Sequence, residues 1–233
     1  MNGTIEHVQA AAFDLDGTLV DSLADLAAAA NEARRSENLP LLDEKLMMSY
    51  VGDGVGKLVH RALTADPDGQ APDKVWQRAF AVFAQHYSEH LDRHTYIYPE
   101  VQTGLQLLKT LGIPLAVITN KREAWAAELL RRLGLADLFS LVVGGDTLPQ
   151  RKPDAAPLLH AAEVLGVKPE NMAMVGDSRN DILAAKAAGC FAIGVRYGYA
   201  DMDKLAENPA TRADWIVSTL PEIYDRLRPD DRR

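Results

Sequence analysis

The sequence has little cysteine, no long apolar run and no excess of basic residues. Cys190 is the only cysteine among 233 residues, which excludes an internal disulfide and favours a reducing compartment. No segment approaches the roughly 18 apolar residues that cross a bilayer. Met1–Gln9 also lacks the basic segment and apolar stretch of a secretory signal. We therefore expect a cytoplasmic protein with no membrane partner.

Acidic residues outnumber basic ones, with 33 Asp and Glu against 25 Lys and Arg, a net charge of -8 at pH 7. Nucleic acid binds a basic surface, so it is not expected as a main partner. A metal ion and a few basic side chains can still reverse the field inside one cleft, so the net charge is compatible with an anionic small-molecule substrate. The sequence leaves the oligomeric state open.

The first third of the chain predicts one strand followed by helices. The apolar run Val8–Leu15 is typical of a buried parallel strand. Leu23–Ser36 predicts a helix that Ser22 and Asp25 can cap. The segment that follows predicts helices only, the clearest being Asp73–Leu91, whose aromatic residues share one face and indicate core packing.

After Tyr98-Pro99 the pattern becomes an alternation of helix and strand. Repeated strand and helix units indicate an α/β fold with a mostly parallel sheet and helices on both faces, and the earlier helical stretch is an insertion. The predicted strands are Ile113–Thr119, Leu141–Val143, Met172–Val175, Phe191–Val195 and Trp215–Val217, and the predicted helices are Val101–Leu111, Glu123–Leu133, Ala155–Leu165, Asp181–Ala188 and Pro221–Leu227.

Polar clusters follow four of the predicted strands. They are Asp14–Thr18, Thr119–Lys121, Lys152-Pro153 and Gly176–Asp181. Ligands of open α/β sheets bind outside the carboxyl ends of the strands, so we expect the four clusters to form one site.

The residue types in these clusters suit phosphate chemistry. One carboxylate, of Asp14 or Asp16, can attack phosphorus, and a second can donate a proton to the leaving oxygen and then activate water. Asp177 and Asp181 add oxygen ligands for a hard cation such as Mg²⁺.

Basic and polar groups of the other two clusters suit the phosphoryl oxygens. Lys152 offers a compact positive charge, while Thr119 and Asn120 offer a hydroxyl and nearby backbone N–H groups. Each cluster alone has a simpler interpretation, as a turn, a helix cap or a solvated lysine. Four such clusters at strand ends in one chain favour a site.

The four clusters resemble, in order, the motifs of the haloacid dehalogenase superfamily. The resemblance implies a Rossmann-like core of residues 1–20 and 97–233, with a helical cap domain of residues 21–96. It makes Asp14 the nucleophile and Asp16 the acid and base. By the same resemblance, the phosphate binders are Thr119, Asn120 and Lys152, and the Mg²⁺ ligands are Asp14, the Asp16 carbonyl and Asp177, supported by Asp181.

Four local segments resemble the bacterial phosphoglycolate phosphatases, which implies 2-phosphoglycolate as the substrate. They are Val51–Gly54 and His60–Leu63 in the predicted cap, Tyr98-Pro99 at the return to the core and Ala187–Cys190 after the fourth cluster. Asp53 stands where many relatives have Asn. Gly52 and Gly54 are expected in a loop that faces the catalytic aspartates. Lys57 and Arg61 share a helical face and can offer positive charge to the substrate carboxylate.

Other functions stay open. One is hydrolysis of another small phosphate ester, such as a sugar phosphate, and another is a phosphosugar mutase on the same fold. A third is a phosphate-binding protein without turnover. The aspartate pair argues against the third, because a binding protein needs no nucleophile.

Overall fold

The computed structural model describes residues 8–228. Residues 1–7, on which most of the predicted absence of a secretory signal depends, lie outside this range. Among the described residues, no helix is long and apolar enough to span a membrane.

A six-stranded parallel sheet forms the centre of the molecule, in the order β5-β4-β1-β6-β7-β8. Its strands are β1 (Ala10–Phe13), β4 (Leu115–Ile118), β5 (Leu141–Val143), β6 (Met172–Gly176), β7 (Phe191–Val195) and β8 (Trp215–Val217). The sheet and its flanking helices confirm the predicted α/β class.

Ten α-helices are present in residues 8–228. The first four are α1 (Leu23–Ser36), α2 (Glu44–Met48), α3 (Val55–Thr64) and α4 (Asp73–Glu89). The others are α5 (Val101–Thr110), α6 (Glu123–Arg132), α7 (Ala156–Leu165), α8 (Arg179–Ala188), α9 (Met202–Ala206) and α10 (Pro221–Leu227).

β1 is completely buried because it is paired on both edges and covered on both faces. Phe13 and Ala11 face one hydrophobic cluster, and Ala10 and Ala12 face the other, as the period of two in a strand requires. From β1 the chain continues to β4 and β5 on one side and later returns to β6 on the other. The carboxyl end of β1 is therefore a topological switch point, where ligands of such sheets bind.

Helices α1 to α4 pack around a hydrophobic cluster of their own. The aromatic stripe predicted on α4 lies in that cluster as a series of stacked rings, with centroid separations of 4.7 Å for Trp76–Phe80, 6.2 Å for Phe80–Phe83 and 5.7 Å for Phe83–Tyr87. Trp125 of α6 also belongs to this cluster. The prediction that the stripe is packing is confirmed.

A short antiparallel ribbon forms where the chain leaves the sheet for α1 and where it returns after α4. It consists of β2 (Val20–Asp21) and β3 (Tyr96–Ile97). The sequence did not predict it, because two-residue strands are too short to show a period. The five residues of α9 escaped prediction for the same reason.

The predicted capping of α1 is wrong. The Ser22 hydroxyl donates to Asp16 Oδ1 at 2.5 Å and makes no cap hydrogen bond. The Asp25 carboxylate instead accepts from the backbone N–H groups of His94 and Thr95, at 2.9 and 2.8 Å for Oδ2. Ser22 bonds to Asp16, which precedes it by six residues, whereas Asp25 bonds to a distant segment. Asp25 therefore links the start of the helical segment to its end.

Candidate functional site

A cavity of about 400 Å³ lies at the carboxyl ends of β1, β4 and β6. One wall comes from the loops after these strands and from the start of α8. The other comes from the α2–α3 region, including the loop Gly52–Gly54. Lining residues from three of the four predicted clusters meet here, among them Asp14, Asp16, Thr119, Asn120 and Asp177.

Asp14 follows β1 directly, and its backbone N–H continues the sheet by donating to Val175 O at 2.9 Å. Its Oδ1 accepts from the Leu15 N–H at 2.7 Å and lies 3.0 Å from Lys152 Nζ. Burial raises the pKa of Asp14 to about 7, although Lys152 pulls it down. A carboxylate at a strand end, oriented by two donors, is poised as a nucleophile.

Lys152 brings the fourth predicted cluster to the same place. Its ammonium is buried and donates to Asp181 Oδ1 and Ile118 O, both at 2.6 Å. Burial alone would lower its pKa, but the carboxylates of Asp14 and Asp181 outweigh burial and raise it. Lys152 is therefore a fixed positive charge at neutral pH.

Three carboxylates can share one cation. Ligand oxygens of Asp14, Asp177 and Asp181 all lie within 4.8 Å of one another. Asp177 Oδ1 accepts from Thr18 Oγ1 at 3.0 Å. Its pKa is raised to about 8, first by burial and then by the charges of Asp181 and Asp14. Buried carboxylates that repel one another fit a hard divalent cation, which removes the repulsion.

Asp181 contributes to this cluster from a more constrained position. Its Oδ2 accepts from the Ser178 N–H and hydroxyl at 3.0 and 2.7 Å, which forms a capping box on α8. Its Oδ1 accepts from Lys152. Because both oxygens already accept hydrogen bonds, Asp181 is better suited to orient its neighbours than to donate a free ligand atom.

Two glycines allow the backbone to approach Asp177. Gly17 has φ of +83°, which favours glycine, and a Cβ there would clash with the Asp177 carboxylate. A Cβ on Gly198 would clash with Asp177 Cβ and Gly17 O. No sequence pattern pointed to Gly198, because it lies outside the motif segments.

We expect Gly198→Ala to raise the divalent-ion concentration that gives half-maximal activity by about tenfold or more, since a methyl group would displace Asp177 from the cluster. Titration of activity with Mg²⁺ measures the shift. Gly134→Ala is the control, because a Cβ there meets no atom within 4 Å. It adds backbone strain at a positive φ without displacing Asp177, so its ion dependence should not change. An unchanged ion dependence in Gly198→Ala would contradict the assigned geometry.

The Asp16 carboxylate faces a partner that the sequence did not reveal. Lys121 Nζ donates to both of its oxygens at 2.8 Å, and the lysine side chain is 1% exposed. Lys121 is the last residue of the predicted cluster Thr119–Lys121, but the sequence assigned it neither a partner nor a role.

Thr119 and Asn120 follow β4 and are both buried. Thr119 Oγ1 accepts from the Lys121 N–H at 3.3 Å. The Asn120 amide donates to Gly52 O at 2.9 Å and to Lys152 O at 3.0 Å. Asn120 therefore connects the sheet to the α2–α3 loop through its side chain.

The basic residues predicted on α3 differ in their surroundings. The Arg61 guanidinium donates to Asp53 Oδ2 at 2.5 Å, Tyr50 O at 2.9 Å and Pro67 O at 2.7 Å. Arg61 lines both the main cavity and a smaller hollow of about 110 Å³, whereas Lys57 lines only the smaller hollow.

Asp53 also binds the core, accepting from Asn180 Nδ2 at 2.8 Å. Gly52 and Gly54, with φ of +117° and +88°, shape the loop on either side of it. Both glycines line the cavity together with Asp14 and Asp16.

Comparisons with known proteins agree with this geometry. A family model for haloacid dehalogenase-like hydrolases matches residues 8–189. The chain is 58% identical over 233 residues to a phosphoglycolate phosphatase of Neisseria meningitidis, covering 100% of this chain and 99% of the relative. It is 52% identical over 224 residues to one of Chromobacterium violaceum, covering 96% and 98%.

A solved structure shows the same fold. The crystal structure of a predicted phosphoglycolate phosphatase from Haemophilus somnus superposes with a TM-score of 0.85 at 34% identity, covering 94% of this chain and 98% of that one. The predictions of an enzyme and of the superfamily are confirmed, and the relatives support the phosphatase class. This chain belongs to the haloacid dehalogenase-like hydrolase family.

Proposed function

We propose that the chain is a Mg²⁺-dependent phosphatase that hydrolyses 2-phosphoglycolate to glycolate and phosphate through an aspartyl-phosphate on Asp14. One observation carries the proposal. Asp14 lies 3.0 Å from the buried Lys152 and shares a cation-sized cluster with Asp177 and Asp181, at the switch point of the sheet.

In the first step, an Asp14 carboxylate oxygen attacks phosphorus and the bond to the ester oxygen breaks. Asp16 gives its proton to that oxygen, which leaves as an alcohol. The Lys152 ammonium offsets the negative charge on the phosphoryl oxygens, and the Thr119 hydroxyl donates a hydrogen bond to one of them. When bound, Mg²⁺ screens Asp14 from the negative charge of the phosphate.

In the second step, water attacks the phosphorus of the aspartyl-phosphate. Asp16, now ionised, takes a proton from that water. The bond between phosphorus and the Asp14 oxygen breaks, which releases phosphate and restores both carboxyl groups to their starting forms.

The substrate proposal rests on the relatives that carry the name phosphoglycolate phosphatase and on charge. The second functional group of 2-phosphoglycolate is a carboxylate, so a basic side chain that lines the cavity away from Asp14 can bind it. Arg61 and Lys57 are the candidates from the sequence. The structure adds Arg179, which begins α8, is exposed and lines the same cavity.

We expect Arg179→Ala to raise KM for 2-phosphoglycolate by about tenfold or more and KM for p-nitrophenyl phosphate by less than about threefold, because only the former carries a carboxylate. Arg61→Ala is the comparison. Its guanidinium already binds Asp53 and two carbonyl oxygens, so its loss should affect both esters.

If only Arg61→Ala raised KM for 2-phosphoglycolate selectively, Arg61 would be the residue that binds the substrate carboxylate, as the sequence suggested. That result would contradict the role of Arg179. A panel of phosphate esters ranked by kcat/KM completes this experiment. A sugar phosphate that outranks 2-phosphoglycolate would replace the substrate and leave the phosphatase chemistry unchanged. Transfer of the phosphoryl group between two positions of one sugar would instead indicate a mutase.

We also propose that residues 21–96 act as a cap domain over a catalytic core of residues 1–20 and 97–233. Two features support these boundaries. Residues 21–96 supply every buried member of one hydrophobic cluster except Trp125. The β2–β3 ribbon lies where the chain leaves the sheet for α1 and where it returns after α4. A cytoplasmic location, proposed from the single cysteine, fits a small-molecule enzyme of this kind.

A further inference from the structure

We propose that Lys121 is a positioning residue that fixes the orientation of the Asp16 carboxylate and makes that orientation depend on the docking of helix α4. The inference rests on the proposed roles of Asp14 and Asp16. It assigns to Lys121 a function that neither the motifs nor the comparisons give.

The two oxygens of Asp16 are not equivalent. Oδ1 accepts from Lys121 Nζ at 2.8 Å and from Ser22 Oγ at 2.5 Å, whereas Oδ2 accepts from Lys121 alone at 2.8 Å. In a protonated carboxyl group, the oxygen that carries the proton keeps less capacity to accept hydrogen bonds than the other oxygen. Oδ1, with two donors, is therefore the anchored oxygen, and Oδ2 is the oxygen left to carry the proton.

The opposite side of the lysine faces the helical segment. Lys121 Nζ lies 4.8 Å from the ring centroid of Tyr87, which is on α4 and completely buried. Tyr87 contacts Trp125 of α6 edge to face, with centroids 5.3 Å apart, and Trp125 Nε1 donates to Ser88 Oγ at 2.9 Å. The site that holds the ammonium group is thus built jointly by the sheet side and by α4.

A buried ammonium group is confined by its partners, because leaving them would expose an uncompensated charge in a poorly solvated site. The Tyr87 ring limits one side and the Asp16 carboxylate the other. If α4 moves away, Lys121 loses the cation–π contact and the shielding from water that holds it in place. Asp16 is then oriented correctly only while the helical segment is docked.

This role differs from simple charge compensation in its kinetic consequences. Protonation of the leaving oxygen matters greatly for glycolate, which leaves as a poorly stabilised alkoxide, and little for p-nitrophenolate, which leaves readily as an anion. Loss of Asp16 orientation should therefore slow cleavage of 2-phosphoglycolate and spare the first cleavage of p-nitrophenyl phosphate. A residue that bound phosphate or only stabilised the fold would affect both cleavages equally.

The test measures the first turnover of wild type and Lys121→Met with saturating Mg²⁺ and both esters. We expect the first cleavage of 2-phosphoglycolate to slow by about a hundredfold and that of p-nitrophenyl phosphate by less than about threefold. Lys121→Arg, which keeps the charge, should recover part of the loss. Tyr87→Leu should show the same selectivity with a smaller effect, about tenfold.

Arg122→Met is the matched control. Arg122 follows Lys121 in the chain, and its guanidinium covers the rings of Phe80 and Trp125 at 5.0 and 5.4 Å. In the described part of the chain, the Asp16 carboxylate accepts from Lys121 and Ser22 and not from Arg122. We expect no ester selectivity in this variant, and selectivity equal to that of Lys121→Met would overturn the specific role of Lys121.

Equal losses on both esters, or no loss on either, would overturn the inference while leaving an active wild type and the proposed function in place. A wild type that releases no phosphate from either ester would overturn the proposed function, and this inference with it. Thermal unfolding of each variant separates a folded, selective variant from an unfolded one. If Lys121→Met does not fold, the ester selectivity of Lys121→Arg and Tyr87→Leu decides.

Discussion

Asp14→Asn should lower turnover of 2-phosphoglycolate by about a thousandfold or more while the fold is retained. The amide is nearly the same size as the carboxylate, but it is too weak a nucleophile to attack phosphorus. It can still accept the Leu15 N–H hydrogen bond that Asp14 Oδ1 accepts at 2.7 Å. Steady-state phosphate release and a circular dichroism spectrum measure the two parts of this result.

Asp154→Asn is the matched control, because Asp154 is an exposed aspartate two residues after Lys152 whose carboxylate accepts only locally, from the Ala156 N–H. It should keep near wild-type turnover. Activity of Asp14→Asn above a few per cent of wild type, in protein shown by mass spectrometry to be free of deamidation, would mean that Asp14 is not the nucleophile.

Removal of divalent ions should abolish activity, with a loss of about a hundredfold or more in excess chelator and recovery on addition of Mg²⁺. The physical reason is the cluster of Asp14, Asp177 and Asp181, whose ligand oxygens all lie within 4.8 Å of one another. Ca²⁺ should support activity poorly, because its larger and looser ligand shell suits in-line displacement less well. Full activity in excess chelator would contradict the metal assignment.

The same cluster predicts a pH dependence that needs no activity measurement. The pKa values of Asp14 and Asp177 rise from 3.8 to about 7 and about 8 on folding, mainly through burial. Below about pH 4 both carboxyl groups are protonated in the folded and in the unfolded chain. Between about pH 4 and pH 8 the unfolded chain releases these protons first, so the metal-free folded state loses stability as the pH rises, and above pH 8 the loss is complete.

A bound cation takes the place of those protons. Mg²⁺ should therefore raise the unfolding temperature by more at pH 8 than at pH 5. Asp177→Asn should lose most of this difference, because it removes the carboxyl group with the higher of the two pKa values. An increase in unfolding temperature that is the same at both pH values would contradict the carboxylate cluster as the cation site.

The sequence predicted the sheet and the positions of the polar clusters well, for a physical reason. Strands such as β1 are buried on both faces and read as unbroken apolar runs, and the residues that follow them, such as Asp14, must lie at the carboxyl edge. Local signals of this kind depend on a few neighbouring residues.

The partners of individual side chains could not be predicted in this way. Lys121 and Asp16 are 105 residues apart in the chain, and Asn180 and Asp53 are 127 apart. Their contacts depend on how the helical segment packs on the sheet. Ser22 shows the same limit. Its sequence predicted a helix cap, but in the fold its hydroxyl donates to the Asp16 carboxylate instead.

The most direct measurement of the proposed chemistry is mass spectrometry of the Asp16→Asn variant, acid-quenched shortly after mixing with p-nitrophenyl phosphate and Mg²⁺. The activated leaving group allows the first step without an acid, while loss of the base slows the second step, so the covalent intermediate should accumulate. We expect one phosphoryl group on the peptide that contains Asp14, and none when Asp14→Asn is added to the same variant. A phosphoryl group on any other residue, or release of nitrophenolate with no phosphoryl group on the protein, would contradict Asp14 as the nucleophile.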